Sequence, residues 1–498
     1  LFRKTFFFII LLNLSLSRYL LVPDDYPYIQ LALDNCIGND TILVESGYYY
    51  ENLIWPNIIN ISLIGESSEN TIIDGNNLES VIFISSNEAN SINSNTIIKN
   101  LTLINGNSQS EYPNDRGGGL FIKNASPLIE NIKILNSYAY YGGGISLINS
   151  NPLLTNIYIN NNTSLNSGGG LYLDSSNPII HNCTISNNYC SSYGGGLYSI
   201  DHSKPEIMNS VFSGNIAESG GGISTFDSSS PIIRYSEIYN NSANRGGGLS
   251  FFYNSESLID SCYIFNNSSE LIGGGIFSKD AKPILNNCII STNHSINGGG
   301  IAITSDDSPI FINTLIINNA AIESGGGIYI NNTNPNFSNT ILESNYAELG
   351  GGIYMENSSS NISNIIIKNN YANYGGGIFT TNSDHTFNHI EINDNHSISG
   401  AGLFINLYSD VILSNAHIYN NNASSYGGGF AIEQNSNIKL SNSTIHHNSA
   451  DFYGGGIYSW ENSKIILINN TIADNFSQFG SGIASLSESN GTIVNTII

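Results

Sequence analysis

A chain of 498 residues that is 40% apolar can bury a core, and its 50 glycines against 12 prolines, with no three-residue period, exclude collagen. Its 39 acidic against 15 basic residues give a formal charge of −24, a surface that repels a phosphate backbone and excludes nucleic acid as partner. Isoleucine, leucine and tyrosine recur throughout, so the chain is not a disordered tract.

Arg3 and Lys4 precede an apolar run from Phe6 to Leu12. A basic start and a short apolar stretch read as a signal peptide over residues 1–17, too short for a membrane span of about 20 residues. The expected location is therefore outside the cell: secreted, on the cell surface or at an outer membrane. Residues 18–95 hold no glycine triplet and read as an N-terminal cap with irregular first coils. Within them the segment from Tyr26 to Cys36 fits a short capping helix. Thr41 to Val44, Ile61 to Gly65 and Thr71 to Gly75 fit short strands.

From residue 96 onward the chain repeats. A Gly-x-Gly unit, nearly always a triplet, starts at 117, 142, 168, 194, 220, 246, 273, 298, 325, 350, 375, 400, 427, 454 and 480, a spacing of 25 to 27 residues. Leu, Ile or Phe always follows, as at Leu120, Leu171 and Phe430, and many repeats place a second apolar residue two positions later, as at Ile122 and Leu173. Period 2 is a strand with one buried face. A triplet of glycines per repeat, at about 1 kcal/mol each, excludes helix. Turn residues follow, as in Ser175-Ser176-Asn177-Pro178. Two asparagines then recur. One column runs through Asn100, Asn131, Asn156, Asn182, Asn209, Asn287, Asn313 and Asn339 to Asn495, the other from Asn162, Asn188 and Asn215 to Asn475. Self-similarity at this period means an all-β solenoid, one coil per repeat, with equivalent residues stacked and asparagines bonded from coil to coil. Residues 96–498 then make about 16 coils, roughly 75 Å at about 4.8 Å each. The expected architecture is a right-handed parallel β-helix.

Five cysteines occur without a CxxC pair, which argues against a thiolate zinc site. Cys183, Cys262 and Cys288 share one repeat position with Ser210, Thr314, Thr340, Ala416 and Ser443, a slot for small buried residues.

Val22-Pro23-Asp24-Asp25-Tyr26-Pro27, Ile29 to Leu33 and Thr41 to Val44, with Gly47, Tyr49 and Glu51, resemble the opening of right-handed β-helix proteins, including the pectin-esterase-like group. The recurring G-G-G-[IL] and I/F-x-x-N motifs resemble the polymorphic outer membrane protein repeat family, with Gly for Ala at the third place and Ile mostly for Phe. That resemblance implies a surface passenger domain; it is specific for fold and weak for activity.

Chemistry is harder to find. Asp306-Asp307 is the one adjacent acidic pair in the repeats, but it precedes Pro309 in a turn, where aspartate is common. Asp174, Asp201, Asp227, Asp280 and Asp306 recur in turns, and stacking would align them either as solvated turn residues or as a calcium stripe. His446 and His447 are adjacent, and strand alternation predicts opposite faces, against joint metal ligation. His389 replaces an asparagine of the first column and reads as structural. Tyr141, Tyr193, Tyr374, Tyr426, Tyr453 and Phe479 precede the glycines, either packed over the corner or exposed to stack on sugars. No catalytic, cofactor or metal residue is assigned, and calcium is the one ion considered.

The leading expectation is a non-catalytic surface or secreted β-helix, adhesin-like or a stalk, meeting a surface polysaccharide or a host or neighbour-cell component. The alternative is a carbohydrate-active β-helix, a lyase, an esterase-like enzyme or a sugar-binding module acting on acidic polysaccharide. The start at Leu1 and the last triplet so near Ile498 also predict a fragment of a longer protein.

Overall fold

The computed structural model describes residues 17–86, 92–305 and 308–498, so nearly all of the expected signal peptide lies outside the described residues. The coil around Cys183 shows how the chain is folded. Strand Ile179–His181 runs to Asn182, which takes φ +54, and strand Thr184–Ser186 runs to Asn187, at φ +55. The short strand Tyr189–Cys190 leads to Gly194 at φ +69, and strand Leu197–Ile200 ends at Asp201 and His202, at φ +54 and +59. Each left-handed residue is a corner, a conformation that asparagine and aspartate tolerate better than other side chains. After one circuit the chain lies in parallel register one coil on, with Ile180 against Ile207, Ile185 against Phe212 and Leu197 against Ile223. Repetition of that circuit makes the expected right-handed parallel β-helix, all-β among the described residues apart from the helix Ile29–Asn35. Ile29, Ala32 and Leu33 of that helix are buried, and the backbone N–H groups of Ile29 and Gln30 each donate to the Glu51 carboxylate at 2.8 Å. Among the described residues no helix is long and apolar enough to cross a membrane.

The core is the inside of the coil. Leu171, Leu173 and Ile185 are fully buried and Ile180 nearly so, as period 2 requires. Each such side chain contributes about 2 kcal/mol of burial. The triplet Gly168-Gly169-Gly170 shows why glycine is needed. Gly168 has φ +70, and a Cβ on Gly169 would stand 2.5 Å from the Gly195 carbonyl oxygen and 2.6 Å from that of Tyr189. A Cβ on Gly170 would lie 2.5 Å from the Gly196 oxygen and 3.2 Å from the Asn188 amide. Two backbones meet here with no room for a side chain.

The two asparagine columns differ in kind. The first is an exposed corner: Asn313 and Asn339 have φ +47 and +50, and Asn339 Nδ2 donates to Asn313 Oδ1 at 2.8 Å. The second is buried. Asn188 donates from Nδ2 to Asn215 Oδ1 at 3.0 Å and to the Ile159 carbonyl at 3.1 Å, while its backbone N–H donates to the same Asn215 oxygen at 3.0 Å. Every polar atom of that buried amide is satisfied. Cys183, Cys262 and Cys288 fill the small slot beside the first column, all free and buried, and burial holds their thiols up at about 12, 12 and 11.

Candidate functional site

Along the strand that follows each triplet, the second and fourth residues point outward. In the strands from Leu171–Asp174 to Leu403–Asn406 the second position reads Tyr172, Tyr198, Ser224, Ser250, Phe277, Ala302, Tyr329, Tyr354, Phe379 and Phe404. Parallel stacking turns this column into a ring ladder. Tyr329 to Tyr354, Tyr354 to Phe379 and Phe379 to Phe404 are 5.4, 5.4 and 5.2 Å apart and within 8° of parallel.

Small residues interrupt the ladder at Ser224, Ser250 and Ala302, all fully buried. Over the two serines, which share a hydrogen bond of 2.9 Å, rings from the flanking columns close in: Tyr193 meets Phe226 at 5.6 Å and Phe252 at 6.0 Å. A cleft of about 620 Å³ opens there, lined by Tyr193, Phe226, Phe252 and Phe277 together with Thr304, Ser305 and Asn331. Two cations, Arg245 and Lys279, line it, and no described lining residue is acidic. The Arg245 guanidinium is ion-paired with the Glu218 carboxylate at 3.7 Å, which offsets part of its charge without a hydrogen bond. In a chain of net charge −24 this is an aromatic-lined cleft whose described lining carries cations and no carboxylate.

The residues singled out from sequence fall unevenly around it. Asp306 and Asp307 lie outside the described residues, directly after Thr304 and Ser305 of the cleft wall. Asp201, Asp227 and Asp280 are left-handed corners at φ +54, +52 and +53, whereas Asp174 sits one position earlier, in a strand. Tyr253 stands between Asp227 and Asp280, so the acidic stripe is broken. Among the described residues no group of three or more His, Cys, Asp or Glu is placed to hold a metal ion. Of the aromatic residues before the glycines, Tyr193 lines the cleft, Tyr141 packs at a 48° tilt against Tyr172 at 4.9 Å, and Phe479 is half exposed. His389 takes the expected corner, at φ +52.

His446 and His447 do not point to opposite faces. His447 is itself a corner, at φ +56, so alternation ends at His446 and the two Nδ1 atoms meet at 2.8 Å. Two titratable groups had no signal in the repeat pattern. His385 is buried, its Nδ1 accepts the Ser360 N–H at 3.1 Å, its Nε2 has no partner, and burial lowers it to about 4. Burial, and secondarily Glu461, pushes Glu433 up to about 7.

The family model of a right handed beta helix region matches residues 63–276, 191–316, 272–388 and 376–498. No curated protein matches the chain. Among solved structures, the A-module of the Azotobacter vinelandii mannuronan C-5 epimerase AlgE4 is similar at 15% identity and TM-score 0.34, over 74% of this chain and 92% of its own. The catalytic domain of a GH87 alpha-1,3-glucanase in complex with tetrasaccharides is similar at 12% identity and TM-score 0.32, over 95% and 69%. Pectin methylesterase PemA from Erwinia chrysanthemi is similar at 9% identity and TM-score 0.28, over 55% and 89%. The expectation that the chain is not an enzyme is corrected by these matches: the β-helices it resembles are enzymes by name, and a uniform repeat is no ground for denying activity.

Proposed function

From the premise that this chain belongs to the right-handed β-helix family, we propose that it is a carbohydrate-active β-helix that holds an acidic polysaccharide across its aromatic face. The observation that carries this reading is the pairing of Arg245 and Lys279 with the rings of Tyr193, Phe226, Phe252 and Phe277 in one open cleft. Rings offer flat apolar area to the C–H face of a sugar, and the cations offer charge-assisted bonds to its carboxylate. The ring ladder beyond, from Tyr329 to Phe404, runs along the coil axis, but Tyr354, Phe379 and Phe404 are buried against one another, so the ladder stiffens this face and the open cleft is where a sugar would be met. Action outside the cell belongs to the proposal, supported by the basic and apolar N-terminal stretch and by the resemblance to outer membrane repeats.

The test is binding and turnover on polygalacturonate and alginate, with a neutral glucan as control, with and without calcium. Arg245→Ala and Lys279→Ala are each expected to weaken binding of the acidic polymers by about tenfold, the loss of one charge-assisted contact of about 1.5 kcal/mol. Equal binding of acidic and neutral polymers, or no change in either variant, would overturn the reading.

A further inference from the structure

Five asparagines of the second column carry the acceptor pattern of asparagine-linked glycosylation, Asn-x-Ser/Thr: Asn162-Thr163-Ser164, Asn267-Ser268-Ser269, Asn293-His294-Ser295, Asn395-His396-Ser397 and Asn475-Phe476-Ser477. A glycan is bulky and belongs on the surface, yet the first four asparagines are at most 1% exposed. Each Nδ2 carries two protons, and these four use both inside the coil. Asn162 donates to the Ile134 carbonyl and to Asn188 Oδ1, both at 3.0 Å. Asn267 donates to the Ile238 carbonyl at 2.8 Å and to Asn293 Oδ1 at 3.1 Å. Asn293 donates to the Ile264 carbonyl and Asn319 Oδ1 at 3.0 Å, and Asn395 to the Ile367 carbonyl and Asn421 Oδ1 at 2.9 Å. Even a Cβ on the adjoining glycine, Gly144, Gly248, Gly275 or Gly377, would lie 3.0 to 3.2 Å from that nitrogen.

Glycosyl transfer forms a bond from Nδ2 to C1 of the sugar. It breaks the bond from C1 to the diphosphate of a lipid-linked oligosaccharide donor, the lipid diphosphate leaves, and Nδ2 gives up one proton. The nitrogen then keeps one donor for two buried acceptors, and a close-packed interior has no room for the sugar. The transferase reads the sequence on an unfolded chain, before burial protects it. We propose that a glycan at any of these four asparagines bars the fold, so that this chain folds only where asparagine-linked glycosylation does not reach it. The incompatibility does not depend on the polymer that the cleft binds. Corner asparagines give the contrast. Asn182-Cys183-Thr184 and Asn442-Ser443-Thr444 carry the same pattern at exposed, left-handed positions, where a glycan would stand in solvent.

The experiment is secretion of the full chain from a glycosylating eukaryotic host, with and without an inhibitor of lipid-linked oligosaccharide synthesis. The ladder variant combines Ser164→Ala, Ser269→Ala, Ser295→Ala and Ser397→Ala, with Ser477→Ala to clear the half-buried Asn475 as well. Alanine already stands at that place in other coils, as Ala217, Ala243, Ala321 and Ala347, so the fold accepts it. The corner variant is Thr184→Ala with Thr444→Ala. Wild type and the corner variant are expected to be glycosylated on the ladder and lost as misfolded chain. The inhibitor and the ladder variant are each expected to restore secreted, protease-resistant protein, the ladder variant with glycans on exposed asparagines alone. Folded wild type from untreated cells, its ladder sites modified or skipped, would overturn the proposal. So would rescue by the inhibitor but not by the ladder variant, which would put the block at other asparagines, or rescue by neither.

Discussion

Asn319 reaches the same oxygen of Asn345 twice, from its backbone N–H at 3.0 Å and from Nδ2 at 3.1 Å, while its other amide proton goes to the Ile290 carbonyl at 2.9 Å. The alanine variant strips the buried Asn345 oxygen of one of its two donors, takes a donor from the Ile290 carbonyl, and leaves the Asn293 N–H and Nδ2 without the oxygen they both bond. Asn319→Ala is therefore expected to cost about 3 kcal/mol in urea unfolding. Asn313→Ala, at an exposed corner, is expected to cost below about 1.5 kcal/mol. Equal costs would show that the buried ladder is no stronger than the exposed one.

His385 and Glu433 make opposite pH slopes. His385 falls from 6.5 to about 4 on folding, so the stability it contributes is full above pH 6.5 and is lost as pH falls toward 4. Glu433 rises from 4.5 to about 7, so its contribution is full below pH 4.5 and is lost as pH rises toward 7. Each spans about 3 kcal/mol, and between pH 4.5 and 6.5 they oppose one another. Relative to wild type, Glu433→Gln should gain stability as pH rises across that window, and His385→Asn should gain as it falls. Chemical denaturation at pH 4.5 and 6.5 checks both signs.

Tyr253 is 44% exposed at the cleft, at φ +44, and stands edge-on to Phe226 at 4.8 Å. Tyr253→Asn exchanges a strained corner residue for one that favours it, so stability should stay within about 0.5 kcal/mol or rise. Polysaccharide binding should weaken, by about tenfold for the loss of one ring contact of about 1 kcal/mol or more. Binding that is unchanged would remove Tyr253 from the site.

All five cysteines are free and buried, and burial raises the thiols of Cys183 and Cys190 to about 12. None should react with a thiol probe at pH 8 in the folded protein, and all five should react in urea. Labelling followed by mass spectrometry reads the count.

The coil and its strands were legible because glycine, isoleucine and asparagine recur at positions each fixed by one cause: a left-handed corner, an inward face, a stacked amide. The rank of the two asparagine columns was not, since spacing alone cannot show that Asn313 is a corner and Asn319 an inward residue. The cleft was hidden for a similar reason. It arises where Ser224, Ser250 and Ala302 break a ring column, and that break is visible only once strands of different repeats are laid side by side. His446 and His447 were misread because alternation was carried one residue past the end of the strand Thr444–His446.

The buried amides all face one way. From Asn162 to Asn448 each Nδ2 gives one proton to the asparagine oxygen of the next coil, Asn475 being the last acceptor, so the amide-to-amide bonds run one way while the second proton goes to a backbone carbonyl of the coil before. Strand dipoles largely cancel in a sheet, but these do not. Their alignment gives an all-β protein an axial macrodipole of the kind otherwise built by an α-helix, its positive pole toward Asn475, each bond polarising the next. The two ends of the solenoid are thus electrically unlike, and an anionic polymer held in the cleft along the coil axis would have a preferred direction.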